Sequence, residues 1–135
     1  MRTIVVGYDD TEPARQALRR AAELAQASGA RLIVTTAVSP EEVDLSGLAA
    51  GGAPELTVDE LERARAFLGE LGVEAEYQVS MGEPADGIVE VAERQGADLI
   101  VVGTRDPGPI ERMLGHSVSH AVLRRARCYV LIVRR

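Results

Sequence analysis

The sequence predicts an α/β domain, an open, doubly wound sheet of five parallel strands carrying four helices. Three observations lead there. Five short aliphatic runs recur along the chain: RTIVVGY (2–8), RLIVTTAV (31–38), VEAEYQVS (73–80), ADLIVVG (97–103) and CYVLIVRR (128–135). Helical periodicity separates each run from the next, and strict strand–helix alternation selects parallel pairing through right-handed crossovers. Four of the runs are nearly unbroken in Ile, Val and Leu, as strands covered on both faces must be.

Taken in order, the first run ends in YDDTEP (8–13), which reads as a helix start. Asp10 or Thr11 caps, Pro13 sits in the first turn, and the carboxylates favour the positive end of the helix dipole. Ala14, Ala17, Leu18, Ala21, Leu24 and Ala25 then form one apolar stripe, stopped by Gly29. The second run is followed by SPEEVDLSGLAAGGAPEL (39–56), rich in Gly and Ala and poor in periodicity. A loop of that length is functional or disordered, and it leaves the strand end where such sheets bind ligands.

TVDE (57–60) predicts a capping box, Thr57 capping and Glu60 answering, ahead of a stripe through Leu61, Ala64, Leu68 and Leu71. The third run alternates, with Val73, Ala75, Tyr77 and Val79 on one face, which suits an edge strand. Ala85, Ile88, Val89 and Ala92 mark a third helix ending at Gly96. A fourth is expected from about Ile110 to Arg125, buried through Met113, Leu114, Val118, Ala121 and Val122.

The bulk numbers narrow the function. A chain of 135 residues is read as one domain over 1–135, with 46% apolar and 27% charged residues, an ordinary globular composition. A net charge of −6 gives no general electrostatic case for nucleic acid or an anionic membrane, and no apolar run is long enough to span a bilayer. The N-terminus enters a strand-like run without a signal-peptide pattern. The single cysteine, Cys128, cannot form an internal disulfide and fits a reducing cytoplasm, where it acts as a small buried hydrophobe. All 15 cationic side chains are arginine.

Chemistry concentrates in two strand-to-helix turns. Asp9, leaving the first strand, is placed to accept hydrogen bonds from a ligand's hydroxyl or amine groups. GTRDPGPIERMLGHSVS (103–119) follows the fourth strand. It has the glycines and the position of a phosphate cradle, in which backbone N–H groups lead into a helix N-terminus. Gly103 and Gly108 suit a close approach of backbone to phosphate, and Arg105 adds charge. The bland alternatives stay open, since Pro and Gly also simply terminate strands. His116 and His120 lie four apart but lack a third metal ligand, so packing or surface roles suit them better.

The acidic pair after the first strand also suggests a phosphoryl-accepting receiver domain. That reading fails because no aspartate ends the third strand (QVSMGEP) and the lysine it needs does not exist here. No Gly-x-Ser-x-Gly elbow, His-Glu-x-x-His or paired-carboxylate constellation points to an enzyme.

GEPADGIVEVAERQGADLIVVGTR (82–105) resembles the signature stretch of universal stress proteins. VVGYDDTEPARQAL (5–18) resembles that family's opening strand, acidic turn and first helix, and SVSHAVLRRARCYVLIVRR (117–135) its closing helix and strand. The resemblance implies a Rossmann-like sheet of order 3-2-1-4-5, related to the adenine nucleotide α-hydrolases. It also implies a homodimer paired through the last strands, and in many members ATP bound between strands one and four.

Carried onto this chain, the resemblance places Asp9 and the Val38 region at base and ribose, and Thr104, Arg105, Ser117 and Val118 near phosphate. The family's pattern Gly-x-x-Gly, nine residues, then Gly followed by Ser or Thr is broken, however. Gly103 fits, but Asp106 and His116 stand at the other two glycine positions, ahead of Ser117 and Val118. A carboxylate repels phosphate, and Pro107 and Pro109 remove donors. The expectation is therefore a non-catalytic cytoplasmic stress-response module with a degenerate nucleotide site. The alternative is a member that binds ATP or AMP through a turn shifted onto Gly108 and Gly115. An enzyme of the related hydrolase or adenylating type would show Ser-Gly-Gly-x-Asp-Ser or His-Ile-Gly-His, and neither occurs.

Overall fold

The computed structural model describes residues 1–38, 55–104 and 118–134. Five strands, β1 (Thr3–Gly7), β2 (Arg31–Val38), β3 (Glu76–Met81), β4 (Leu99–Thr104) and β5 (Tyr129–Arg134), form one sheet of order β3-β2-β1-β4-β5. Every neighbouring pair is parallel, with Val5 opposite Ile33 on one side and Ile100 on the other. Among the described residues four helices connect them: α1 (Glu12–Ser28), α2 (Glu55–Glu70), α3 (Pro84–Gln95) and α4 (Val118–Arg125).

The unbroken apolar runs have a direct structural cause. In a strand, successive side chains leave opposite faces. Ile4, Val6, Leu32, Val34 and Val101 pack under α1 and α2, while Val5, Ile33, Ile100 and Val102 pack under α3 and α4. Ile4, Val5 and Val6 are all fully buried, so neither face of β1 tolerates polarity. Helices α1 and α2 thus cover one face and α3 and α4 the other. From β1 the chain runs outward through β2 to β3, then crosses back to β4 on the far side of β1, where the crossovers change face; this reversal opens a crevice between the carboxyl ends of β1 and β4.

Helix ends follow the signals in the sequence. Thr11 caps α1, its hydroxyl accepting from the Ala14 N–H at 3.3 Å. Gly29 and Gly96 close α1 and α3 at φ 72° and 64°, in the left-handed region where a side chain is costly. At the opposite end of the sheet from the crevice, the Asp98 carboxylate accepts from the backbone N–H groups of Arg2 (2.7 Å) and Thr3 (2.9 Å). Those two bonds hold its pKa below the usual carboxylate range and pin the start of β1 beside β4.

Three expectations need correction. Helix α2 begins at Glu55, two residues before the expected cap at Thr57, and the Glu60 carboxylate accepts from the Thr36 hydroxyl at 3.4 Å. Val118, expected in the core, is 38% exposed, because α4 turns Ser119 and Val122 inward one turn apart. Val79 is likewise exposed, while Val73, Ala75 and Tyr77 do pack under α1 and α2. The stretch 39–54 and the expected first turns of the fourth helix (110–117) lie outside the described residues.

Candidate functional site

The crevice is lined from two sides. On the β1 side the chain leaves the sheet at Gly7 and turns through Tyr8, Asp9 and Asp10 into α1. Asp9 is exposed, and its Oδ1 accepts from the Thr11 N–H (3.2 Å) and the Thr11 hydroxyl (2.6 Å). The residue that caps α1 therefore also fixes the carboxylate predicted to meet a ligand. Its other oxygen, Oδ2, carries no partner among the described residues.

Asp10 does something the sequence did not reveal. It adopts φ 60°, and among the described residues other than glycine it alone has a positive φ. Its Oδ1 accepts from the buried Tyr8 hydroxyl at 2.6 Å and its Oδ2 from Arg63 Nε of α2 at 3.1 Å. Arg15 of α1 donates to the Asp10 carbonyl at 2.9 Å and pairs with the carboxylate at 3.5 Å. Burial, reinforced by the bond to Asp10, pushes the Tyr8 phenol far above its ordinary pKa, so it remains a donor throughout the physiological range.

On the β4 side, Gly103 is forced by packing. A Cβ at this position would lie 2.2 Å from the Pro13 carbonyl oxygen and 2.4 Å from its carbonyl carbon. The first turn of α1 thus rests directly on the end of β4, which brings the Asp9 turn and Gly103 together. Next to it, the Ser119 hydroxyl donates to Thr104 Oγ1 at 3.2 Å, tying the first turn of α4 to the last residue of β4. Val38, at the end of β2, is fully buried, and its carbonyl accepts from the Gly82 N–H at 2.9 Å.

Of the site residues read from sequence, Asp9, Val38, Gly103, Thr104 and Val118 therefore sit at the carboxyl ends of β1, β2 and β4 or at the start of α4. Arg105, Gly108 and Ser117 lie outside the described residues, as do Asp106 and His116. Among the described residues no group of His, Cys, Asp and Glu is arranged to hold a metal ion, and no helix is long and apolar enough to cross a membrane.

A second concavity lies at the other end of the sheet, between α3, Ala126 and the starts of β4 and β5. It has a volume of about 80 Å³ and is lined by Val89, Ala92, Ile100 and Cys128 among others. Ligand pockets run to several hundred Å³, so this one is too small for a nucleotide. Burial pushes the Cys128 thiol up, which keeps it protonated and unreactive at neutral pH.

Sheet order, the switch point and the acidic turn together fit one family, and its sequence model, described as the universal stress protein family, matches residues 1–134. The chain belongs to the universal stress protein family. A universal stress protein of Thermus aquaticus is 36% identical over 135 residues, covering 98% of each chain. One from Mycobacterium tuberculosis is 37% identical over 143 residues, covering 98% of this chain and 95% of its own. Among solved structures, a universal stress protein in complex with cAMP superposes with a TM-score of 0.82 at 35% identity, covering 98% of this chain and 96% of that one. This universal stress protein fold is the five-stranded Rossmann-like sheet that the alternation of strands and helices predicts.

Proposed function

We propose that this universal stress protein is a non-catalytic, cytoplasmic stress-response module that binds an adenine nucleotide in the crevice between β1 and β4, with the phosphate end of that site weakened. The observation that carries this reading is Asp9, an exposed carboxylate at the switch point with one oxygen anchored by Thr11. Ribose hydroxyls and an exocyclic amine are the donors such a carboxylate takes. The similar structure that holds cAMP supports the ligand class.

The sequence supports the weakening, since Asp106 and His116 stand where the family pattern has glycine. A ligand with one phosphate charge suffers less from Asp106 than a triphosphate does. Calorimetry with adenosine, AMP and ATP tests the reading: adenosine and AMP should bind, and ATP no tighter than AMP. ATP binding at low micromolar concentration, tighter than AMP, would show an intact cradle, with the turn shifted onto Gly108 and Gly115.

The module is also proposed to act as a homodimer through β5. This strand ends the sheet, and Tyr129 and Leu131 on it are 80% and 37% exposed. An uncovered apolar edge with unpaired backbone groups favours pairing with a second copy. Light scattering at micromolar concentration should give twice the chain mass; a monomer would sink the edge-pairing reading.

A further inference from the structure

Asp10 occupies the least comfortable backbone position among the described non-glycine residues and is at the same time densely contacted. A left-handed backbone is costly for a residue with a side chain, least so for Asp and Asn, which tolerate the region best. Glycine would adopt φ 60° freely. The carboxylate instead meets three side chains from three elements: Tyr8 at the end of β1, Arg15 on α1 and Arg63 on α2. Arg63 is 53 residues away in sequence, on α2, which also packs against α1 and β2. The Asp10 carboxylate is therefore an ionic connection between α2 and the turn that carries Asp9.

We propose that Asp10 is a positioning residue, the centre of an ionic latch through which Arg63 of α2 and Arg15 of α1 fix the orientation of Asp9 towards a bound adenine nucleotide. This rests on the crevice being the nucleotide site. Asp9 is held from the far side by Thr11 and from the near side by the peptide it shares with Asp10. Release of the Asp10 carboxylate frees the φ of that residue to relax to its more favoured negative range, and this rotation turns Asp9 with it. The latch also links the ligand end of β1 to α2, the helix that follows the long segment after β2. The position of α2 thus bears on affinity at the crevice without α2 touching the ligand.

Two substitutions separate positioning from mere stability. Asp10→Asn keeps an acceptor for the Tyr8 hydroxyl and a residue type that accepts the left-handed region, and removes only the charge. Arg63→Gln changes a half-exposed residue on a helix surface, which the fold tolerates. Each should weaken AMP binding about threefold, the range of a partly exposed ion pair, with the thermal midpoint lowered by no more than a few degrees. The double variant should be no weaker than the weaker single one, because both remove one interaction.

Hydrogen exchange gives a second readout that needs no ligand. In both variants the amides of Thr11 and Arg15 should exchange several-fold faster, while those of Ile4 to Val6 keep their wild-type rates. Unchanged AMP affinity in both variants, or additive losses in the double variant, overturns the latch. If the wild type binds no adenine nucleotide, the crevice reading fails by itself, and exchange decides the latch: wild-type rates at Thr11 and Arg15 in Asp10→Asn reject it.

Discussion

Replacing Gly103 by Ala should destabilise the protein by about 3 kcal/mol, at the upper end of overpacking penalties. The added methyl would sit 2.2 Å from the Pro13 carbonyl oxygen, 2.4 Å from its carbon and 2.9 Å from its Cβ. Two of those three atoms are backbone, in the first turn of a helix whose Pro13, Ala14, Ala17 and Leu18 are all buried. Pro13 cannot rotate away, because its ring fixes φ. Relief therefore needs the whole of α1 to lift from β4, loosening a shared core.

Gly7 provides the control. A Cβ there meets Ile88 Cδ1 at 2.6 Å, the far end of a flexible side chain that has another rotamer to adopt, so Gly7→Ala should cost less than half as much. Urea titration of both variants makes the comparison. A loss below about 1 kcal/mol for Gly103→Ala, or one equal to that of Gly7→Ala, would refute the packing account. If the large loss is found, the first glycine of the family's nucleotide pattern is required in this chain before any phosphate approaches it.

That result bears on what a sequence can show. The strands were legible because burial on both faces leaves no room for polarity in Ile4, Val5, Val6 or Ile100, and hydropathy reads burial directly. The stops at Gly29 and Gly96 were legible because the left-handed region has few occupants. The place of Asp9 was legible because a carboxylate right after the first apolar run must sit at that strand's carboxyl end.

Asp10 was not. Its role depends on a φ that few non-glycine residues adopt and on Arg63, distant in sequence, and neither leaves a local trace. The two acids look alike in the string YDDTEP, yet one is exposed and, among the described residues, bonded only to Thr11, and the other is enclosed by two arginines and a tyrosine. Gly103 was ambiguous in a different way. A glycine at the head of a strand-to-helix turn has two sufficient causes, phosphate and packing, and only the position of Pro13 shows that packing is one of them here. Val118 was misplaced because helical periodicity fixes a stripe only once its phase is known, and the inward turn of Ser119 towards Thr104 sets that phase.

The same caution applies to the two positions where the family's glycines are missing, and here affinity rather than stability is the test. Asp106→Gly combined with His116→Gly should raise ATP affinity about tenfold over wild type and leave adenosine affinity unchanged. The substitutions lie between two anchors. Thr104 ends β4 two residues before Asp106, Val118 opens α4 two residues after His116, and the Ser119–Thr104 hydrogen bond joins the flanks at 3.2 Å.

A carboxylate where the family pattern has glycine repels a triphosphate carrying several negative charges. Removing one such charge accounts for about 1–2 kcal/mol of relief in a partly screened site, which is the tenfold. Glycine at the second position removes a side chain from a backbone that must come close to phosphate oxygens. Adenosine lacks the phosphates and so reports only on the β1 and β2 side of the crevice. Calorimetry with both ligands on wild type and double variant gives the four affinities needed. A double variant no better than a wild type that already binds ATP at low micromolar concentration would mean that Gly108 and Gly115 build the cradle in a different register. Asp106 would then point away from the phosphates, and the weakened-site reading would fall while the adenine site at Asp9 stood.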